Sequence, residues 1–229
     1  QSPRTAFAGP ELKTGQPVLT PLGLPRPITG GFASVYQIVC APQRTYAVRC
    51  FLREFGDNQD RYAAISAHLA TTRLPYMVDF AFLPEGIRVS GRWYPILKME
   101  WVDGESLHAY VEHNLHHPQK LLDLAEQWVQ MVQSLNQAGI AHGDLQHGNV
   151  LVVKDQLRLI DYDGMYVPGL AGRQSHEIGH RNYQHPARSE RYFAPGMDYF
   201  SAWIVYTSLT ALANAPKLWR DFQGGESRQ

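Results

Sequence analysis

The sequence predicts an α+β protein of two parts, the first mainly antiparallel sheet with one helix and the second mainly helical. Two observations lead to this prediction. Residues 32–102 consist largely of short segments rich in Val, Ile, Tyr and Phe between turn residues, which is typical of strands. After Gly104 the apolar residues recur at helical spacing. A chain of 229 residues is long enough for one large domain or two small lobes that share a cleft.

In the first part, strands are predicted at residues 32–40, 45–52, 77–82, 86–89 and 94–102. The first two form a hairpin, because the turn-like run Ala-Pro-Gln-Arg separates them. Residues 58–70 carry apolar side chains in a helical pattern that Leu74-Pro75 ends. Upstream, residues 3–27 are rich in Pro and Gly, which predicts a linker or a strap.

In the second part, one helix ends at Gly139, and its apolar stripe consists of Leu121, Leu124, Ala125, Trp128, Val132 and Leu135. A strand pair follows at residues 150–153 and 157–160. Residues 197–213 predict a buried core helix, because the run is shorter than the ~20 residues that span a bilayer. The expected boundaries are an extension at residues 1–26, a first lobe at 27–102, a second lobe at 103–223 and a disordered tail at 224–229.

Charge and cysteine content limit the classes of partner. The 21 basic and 21 acidic residues give a net charge of +0, so no broad field for nucleic acid or an anionic membrane is expected. Cys40 and Cys50, the two cysteines, lie in strand-like segments, and the first residues do not resemble a secretory signal. A cytoplasmic protein without membrane insertion in this segment is the expectation.

The chemically informative stretch is residues 140–152, Ile-Ala-His-Gly-Asp-Leu-Gln-His-Gly-Asn-Val-Leu-Val, followed by Leu-Ile-Asp-Tyr-Asp-Gly at 159–164. Asp144 and Asn149 share one loop, and Asp161 follows the second strand of the pair, so all three can face one cleft. Magnesium prefers such hard oxygen ligands together with substrate phosphates. Any single Asp or Asn in a loop is more often a turn or cap residue, but the whole set is specific.

These residues resemble the protein kinase superfamily over residues 24–212. The resemblance implies a bilobal fold that binds ATP and Mg²⁺ between the lobes, with Asp144 catalytic and Asn149 and Asp161 as metal ligands. It also implies that Arg49 contacts the phosphates, that Met99 is the gatekeeper of the interlobe hinge and that Leu151 forms the adenine floor. The nucleotide-binding positions it gives are Gly30, Gly31, Val35, Ala47, Arg49, Met99, Glu100, Val102 and Leu151.

The sequence departs from the family around the phosphates. Of the glycine triad of the phosphate loop only Gly30 remains, with Gly31 beside it. Arg49 replaces the usual lysine, and no acid stands near Ile65 to pair with it, which leaves Asp60 or Glu54 as distant candidates. Arginine stays charged and can donate hydrogen bonds to two phosphate oxygens at once, but it differs from lysine in length and shape. An ordinary strand arginine is the alternative interpretation.

The catalytic loop and the segment after it also differ. Gly143 and Gln146 replace an arginine and a lysine, so control by a phosphorylated activation loop is not expected. Residues 183–188 resemble the end of an activation segment, and Asp198 resembles the acid that pins the catalytic loop. We interpret His142 as a packed scaffold residue, and Asp163 as either a second acid or a turn residue.

The histidines at positions 113, 116 and 117 resemble a metal cluster only superficially. No Cys or acid at ligand spacing accompanies them, so they are interpreted as a solvated helix end and no zinc site is assigned.

Three functions remain open at this point. The first is a Ser/Thr protein kinase in signalling, with a protein substrate or regulatory partner. The second is a pseudokinase that binds nucleotide without turnover, favoured by Arg49 and the reduced glycine loop. The third is a small-molecule kinase of the aminoglycoside or choline kinase type, favoured by His-Gly-Asp at residues 142–144. The residues of these motifs are most similar to those of prokaryotic kinase-like proteins.

Overall fold

The computed structural model of the chain describes residues 2–29, 33–40, 44–52, 56–222 and 224. These residues form two compact units. The sheet unit comprises Gln1–Ser66 and Val78–Trp101, and the helical unit comprises Ala67–Met77 and Val102–Gln229. The predicted α+β class is confirmed, with antiparallel sheet in the first unit and mainly helices in the second.

The sheet unit is built on antiparallel strands in the order β1-β3-β4-β6-β5, with β2 also paired to β3. Its elements are the helices α1 (Pro3–Ala6) and α2 (Pro10–Lys13) and the strands β1 (Gln16–Pro17), β2 (Pro27–Thr29), β3 (Ala33–Cys40), β4 (Arg44–Phe51), β5 (Phe80–Val89) and β6 (Arg92–Glu100). The predicted hairpin is present as β3 and β4, whereas its turn at residues 41–43 lies outside the described residues.

One strand replaces the two that were predicted at residues 77–82 and 86–89. β5 continues through Pro84, and its pairing with β6 shifts between Leu83 and Ile87. Gly86 lies so close to β6 that a Cβ there would be 2.2 Å from Ile96 Cγ1. The Pro-Glu-Gly run is therefore a bulge within a strand rather than a break between strands.

The N-terminal segment packs on one face of this sheet. Phe7 and Leu12 are buried together with Ile38, Val48 and Ile96 in one apolar cluster. The Ala8 amide donates to the Gly86 carbonyl at 3.1 Å. Of the predicted linker or strap at residues 3–27, the part up to β1 therefore packs as a strap, whereas Leu19, Leu22 and Leu24 beyond it are exposed.

The opposite face of the sheet carries an aromatic cluster. Tyr62, on the helix α3 (Asn58–Thr72), stacks on Phe82 at 5.2 Å between ring centroids and tilts against Phe51 at 5.9 Å. Phe51 and Phe82 lie on the sheet face opposite to Val48 and Ile96, because alternate strand residues point to opposite faces. The helix ends two residues beyond the predicted residue 70.

The helical unit contains a small antiparallel sheet, β7-β8-β9, and, among its described residues, four α-helices and three short 3-10 helices in addition to the end of α3. These strands and α-helices are β7 (Glu105–Ser106), α4 (Leu107–His113), α5 (Pro118–Gln137), β8 (Val150–Val153), β9 (Gln156–Leu159), α6 (Tyr199–Asn214) and α7 (Leu218–Asp221). For α4 the sequence indicated only a helix end near His113, without a start; the helix begins where the Ser106 hydroxyl accepts from the Ala109 amide at 3.2 Å.

The core of the helical unit is the contact between α5 and α6. The predicted stripe of α5 is largely buried, and its Trp128 indole donates to the Ala202 carbonyl of α6 at 3.0 Å. Gly139 adopts a φ of 69°, as expected for a left-handed cap. No helix among the described residues has the length and apolar character needed to cross a membrane.

The strap can be tested by shortening one buried side chain. Leu12 is 1% exposed, so Leu12→Ala should lower the free energy of unfolding by about 2–5 kcal/mol, because it leaves a cavity in the apolar cluster. Urea unfolding followed by circular dichroism measures this change. Leu22 in the same segment is 86% exposed, and Leu22→Ala should change the free energy by less than about 0.5 kcal/mol. Equal effects of the two variants would contradict a packed strap.

Candidate active site

Residues 140–149, between α5 and β8, form a loop whose path requires glycine at position 143. Gly143 has a φ of 84°, and a Cβ there would lie 2.2 Å from the Gly164 carbonyl oxygen. The glycine found in place of the family's arginine is therefore imposed by the backbone of this chain.

Asp198 fixes the start of this loop. The backbone amides of His142 and Gly143 both donate to its carboxylate, the second at 2.9 Å. Burial raises the pKa of Asp198, while His142, the two amides and Arg188 act in the opposite direction. Asp198 thus takes the position that the sequence indicated.

His142 is a scaffold residue in the structure. It is fully buried, its Nε2 lies 2.9 Å from the Ile160 carbonyl oxygen, and its ring meets Tyr162 edge-on. Since a carbonyl can only accept, Nε2 carries the proton of this hydrogen bond. The loop is thereby fixed to the end of β9, and the scaffold interpretation agrees with these contacts.

Asp144 and Asn149 are brought together by direct hydrogen bonds. The Asn149 side-chain amide donates to the Asp144 carbonyl at 3.0 Å and to Asp144 Oδ2 at 2.8 Å. Gln146 Nε2 approaches the same Oδ2 at 3.3 Å. With Nδ2 engaged in this way, Asn149 Oδ1 is the side-chain atom that can bind a cation.

Asp161 lies beside the loop that carries Asp144 and Asn149. The Ile160 amide donates to the Asn149 carbonyl at 3.0 Å, which places the residue after it beside the loop. Asp161 is half-buried and has a φ of 66°, a left-handed conformation that is uncommon for a residue other than glycine. Strained backbone of this kind is often found at functional sites.

The side chains of Asn149 and Asp161 suit a magnesium ion that also binds phosphates and water, rather than a metal ion whose ligands all come from the protein. Asn149 Oδ1 and the Asp161 carboxylate oxygens are hard oxygen donors, which Mg²⁺ prefers. Because phosphates and water complete the coordination of such an ion, few further protein ligands are needed. Among the described residues there is no group of three or more His, Cys, Asp or Glu side chains that could hold a metal ion. His113 instead lies 3.1 Å from Glu105, through Nδ1 and Oε2.

A segment far along the chain closes over Asp144. The His180 amide donates to Asp144 Oδ1 at 2.7 Å, and the buried Gln184 side chain donates to the Gly143 carbonyl at 3.1 Å. Gly179 has a φ of 83°, and a Cβ there would lie 2.8 Å from Asp144 Oδ1. Both carboxylate oxygens of Asp144 therefore have partners.

Tyr183 attaches the same segment to the loop and to α6. Its hydroxyl oxygen lies 2.6 Å from His147 Nδ1, and its carbonyl accepts from the Ser201 hydroxyl at 2.7 Å. Burial raises the pKa of Tyr183. The motifs gave no role to four of these residues, Gly179, His180, Gln184 and His147, although Gln184 lies within residues 183–188 and His147 within residues 140–152.

The nucleotide positions predicted on the sheet unit share one face of the sheet. Val35 on β3 is opposite Arg49 on β4, and Ala47 on β4 is opposite Met99 on β6. Because residues 47 and 49 are two apart, all four point to the same side. Glu100, at the end of β6, donates its amide to the Asp79 carbonyl at 3.1 Å.

The remaining predicted positions lie elsewhere. Leu151 is on β8 and Val102 precedes β7, both in the helical unit. Gly30 and Gly31 lie outside the described residues.

The role of Gly179 can be separated from backbone strain by a matched pair of variants. Gly172 also has a positive φ, of 82°, but a Cβ there meets nothing within 4 Å. Gly172→Ala should therefore cost about 1 kcal/mol of unfolding free energy from the backbone alone. Gly179→Ala should cost a further 1–3 kcal/mol, roughly, because its methyl group overlaps the loop. Urea unfolding of both variants tests this, and equal losses would mean that residues 179 and 144 are not in close contact.

Comparison with known proteins identifies the family. The model of the protein kinase domain matches residues 29–219. A probable bifunctional tRNA threonylcarbamoyladenosine biosynthesis protein of Methanosarcina barkeri is 32% identical over 97 residues, and the match covers 38% of this chain but only 16% of that protein. The kinase PK-1 of Cydia pomonella granulovirus aligns over 87% of this chain and 69% of its own, with 16% identity and a TM-score of 0.63, which is a likeness of fold. Since the family model covers well over half of its residues, this chain belongs to the protein kinase domain family.

Proposed function

We propose that this kinase domain is an ATP- and Mg²⁺-dependent protein phosphotransferase that acts on Ser or Thr hydroxyl groups. The observation that supports the proposal best is the arrangement at Asp144, whose carboxylate is oriented by Asn149 on its own loop and by the His180 amide of the following segment. A carboxylate fixed from two sides is suited to orient one hydroxyl group.

In this proposal Asp144 orients the acceptor hydroxyl and takes up its proton as the new O–P bond forms and the bond to the leaving diphosphate breaks. Asn149 Oδ1 and the Asp161 carboxylate are the ligands for Mg²⁺, which when bound neutralises charge on the phosphates. Arg49 contacts the inner phosphates as a permanently charged group. Val35, Ala47, Met99, Glu100, Val102 and Leu151 are proposed to bind the base, with Gly30 and Gly31 near the phosphates.

A pseudokinase is the second candidate, and one observation favours it. Both Asp144 oxygens accept hydrogen bonds within the protein, so an acceptor hydroxyl must share or displace the His180 amide. Arg49, at the position where the family has a lysine, also favours the pseudokinase. Nucleotide binding without transfer would follow if that amide is never released.

The small-molecule kinase has less support. The segment at residues 179–184 lies on the catalytic loop through the bonds of His180 and Gln184. Such an arrangement suits a domain that receives a protein acceptor along this segment. A protein substrate or regulatory partner, a role in signalling and a cytoplasmic location are parts of the same proposal.

Phosphoryl transfer can be tested with Asp144→Asn. Labelled ATP, Mg²⁺ and generic protein acceptors should give labelled acceptor or labelled kinase with the natural chain. The variant should lower the rate by about 10²–10⁴-fold, because the amide cannot take up the proton. Asp123→Asn makes the same exchange at an exposed position of α5 and should leave the rate unchanged. No labelling with the natural chain, or equal labelling with Asp144→Asn, would contradict the transferase.

Nucleotide binding is tested separately by thermal unfolding. ATP with Mg²⁺ at a hundredfold excess over the dissociation constant should stabilise the chain by about 2.7 kcal/mol. Asp161→Asn should remove most of the Mg²⁺-dependent part of this gain, since it deletes a charged ligand. The Asp123→Asn variant should keep it. Stabilisation by nucleotide without any transfer would favour the pseudokinase. If neither ATP alone nor ATP with Mg²⁺ stabilises the chain, both the ATP-dependent transferase and the nucleotide-binding pseudokinase are excluded.

A further inference from the structure

The helical unit contains a cavity of about 400 Å³ between α4, α6 and α7. Its walls are mainly apolar and include Leu107, Val111, Leu209, Leu212, Leu218 and Trp219. Cavities of about 300–1,000 Å³ are the usual size for sites of small molecules.

Two polar groups of the cavity lie on the loop and the segment that hold Asp144, and His108 of α4 is a third. His147, three residues beyond Asp144, and Tyr183 both line it, and their side chains meet at 2.6 Å between Nδ1 and the hydroxyl oxygen. The hydroxyls of Thr207 and Ser208 instead donate to carbonyls of their own helix, each at 2.7 Å. No Asp, Glu, Lys or Arg among the described residues contributes to the lining, so the chemistry favours an uncharged ligand.

A continuous row of ring contacts leads from the cavity to Asp144. Trp219 lies 4.7 Å from His108, and His108 lies 5.4 Å from His147, between ring centroids. Tyr183 contacts both His147 and His180 at 5.6 Å. The His180 amide then donates to Asp144 Oδ1. A molecule that moves His147 or Tyr183 therefore acts on the hydrogen-bonded partners of the Asp144 carboxylate.

We propose that this cavity binds a small, flat, uncharged molecule, aromatic in most of its surface, with one hydroxyl or carbonyl group that hydrogen-bonds to His147 or Tyr183. Aromatic rings among its walls suit a flat ligand, because rings pack edge-on or offset against one another. Occupancy changes the environment of the His180 amide through the ring contacts. The site lies wholly within the helical unit, and its binding does not depend on phosphoryl transfer.

The test uses 2-naphthol as the probe and the amide spectrum of the ¹⁵N-labelled chain as the readout. Saturable binding with one site is expected, with shifts of the His147, Tyr183 and His180 amides. Ala211 is an exposed residue of α6 that lines the cavity, so Ala211→Phe should fill it and weaken binding at least tenfold. Ala67→Phe adds the same ring at an exposed position of α3 outside the lining and should bind the probe as the natural chain does.

Each other outcome overturns the proposal or a named part of it. Binding that does not saturate, or that Ala211→Phe leaves unchanged, means that the cavity is not the site. If the natural chain self-associates and Ala211→Phe makes it monomeric, the cavity is an interface between copies and the proposal is wrong. Saturable binding with an unmoved His180 amide removes the coupling to Asp144. Since no arm measures transfer, these results are independent of whether the chain is an active kinase.

Discussion

The buried carboxylate of Asp198 is the interaction on which the candidate active site depends. A charge removed from water is costly unless it is paired and hydrogen-bonded. Asp198 meets that condition through the amides of His142 and Gly143 and the field of Arg188. Hydrogen bonds to charged groups contribute about 1.5–3 kcal/mol each. The same two bonds that make the burial of Asp198 tolerable therefore fix the backbone just before Asp144.

Asp198 can hold the loop only because its own position is fixed. It directly precedes α6, which packs on α5, and the Trp128 indole donates across that contact to the Ala202 carbonyl. Packing of the apolar stripe of α5 against α6 thus determines where one carboxylate lies, and that carboxylate determines the path of the loop. From there Asn149 orients Asp144, so the Asp144 side chain is positioned by the hydrophobic core through three successive contacts.

Local patterns explain what could be predicted from the sequence. The hairpin of β3 and β4 and the stripe of α5 are encoded within short stretches, and both are present in the structure. Asp144 and Asn149 lie in one short stretch too, and their side chains are hydrogen-bonded to each other. Contacts between distant residues were missed. Gln184 reaches Gly143 across 41 positions and Phe7 pairs with Ile87, and no periodicity marks either contact. The sequence predicted two strands where the structure has β5 alone. A proline such as Pro84 is uncommon inside a strand, but here a bulge next to Gly86 accommodates it.

The segment at residues 179–184, over the candidate active site, is held to its neighbours by backbone groups and neutral side chains. His180 contributes a backbone amide, Gln184 a neutral side chain and Tyr183 a buried hydroxyl and a carbonyl. An arginine at position 143 could not read a phosphate on this segment, because the left-handed backbone and the Gly164 carbonyl leave no room for a side chain. The segment is therefore held by hydrogen bonds from its backbone and its neutral side chains, one of which is accepted by the Asp144 carboxylate, and all of them are present in the unmodified chain. Two residues that make them, Tyr183 and His180, are joined by a ring contact, and Tyr183 also contacts the ring of His147, which lines the α4–α6–α7 cavity.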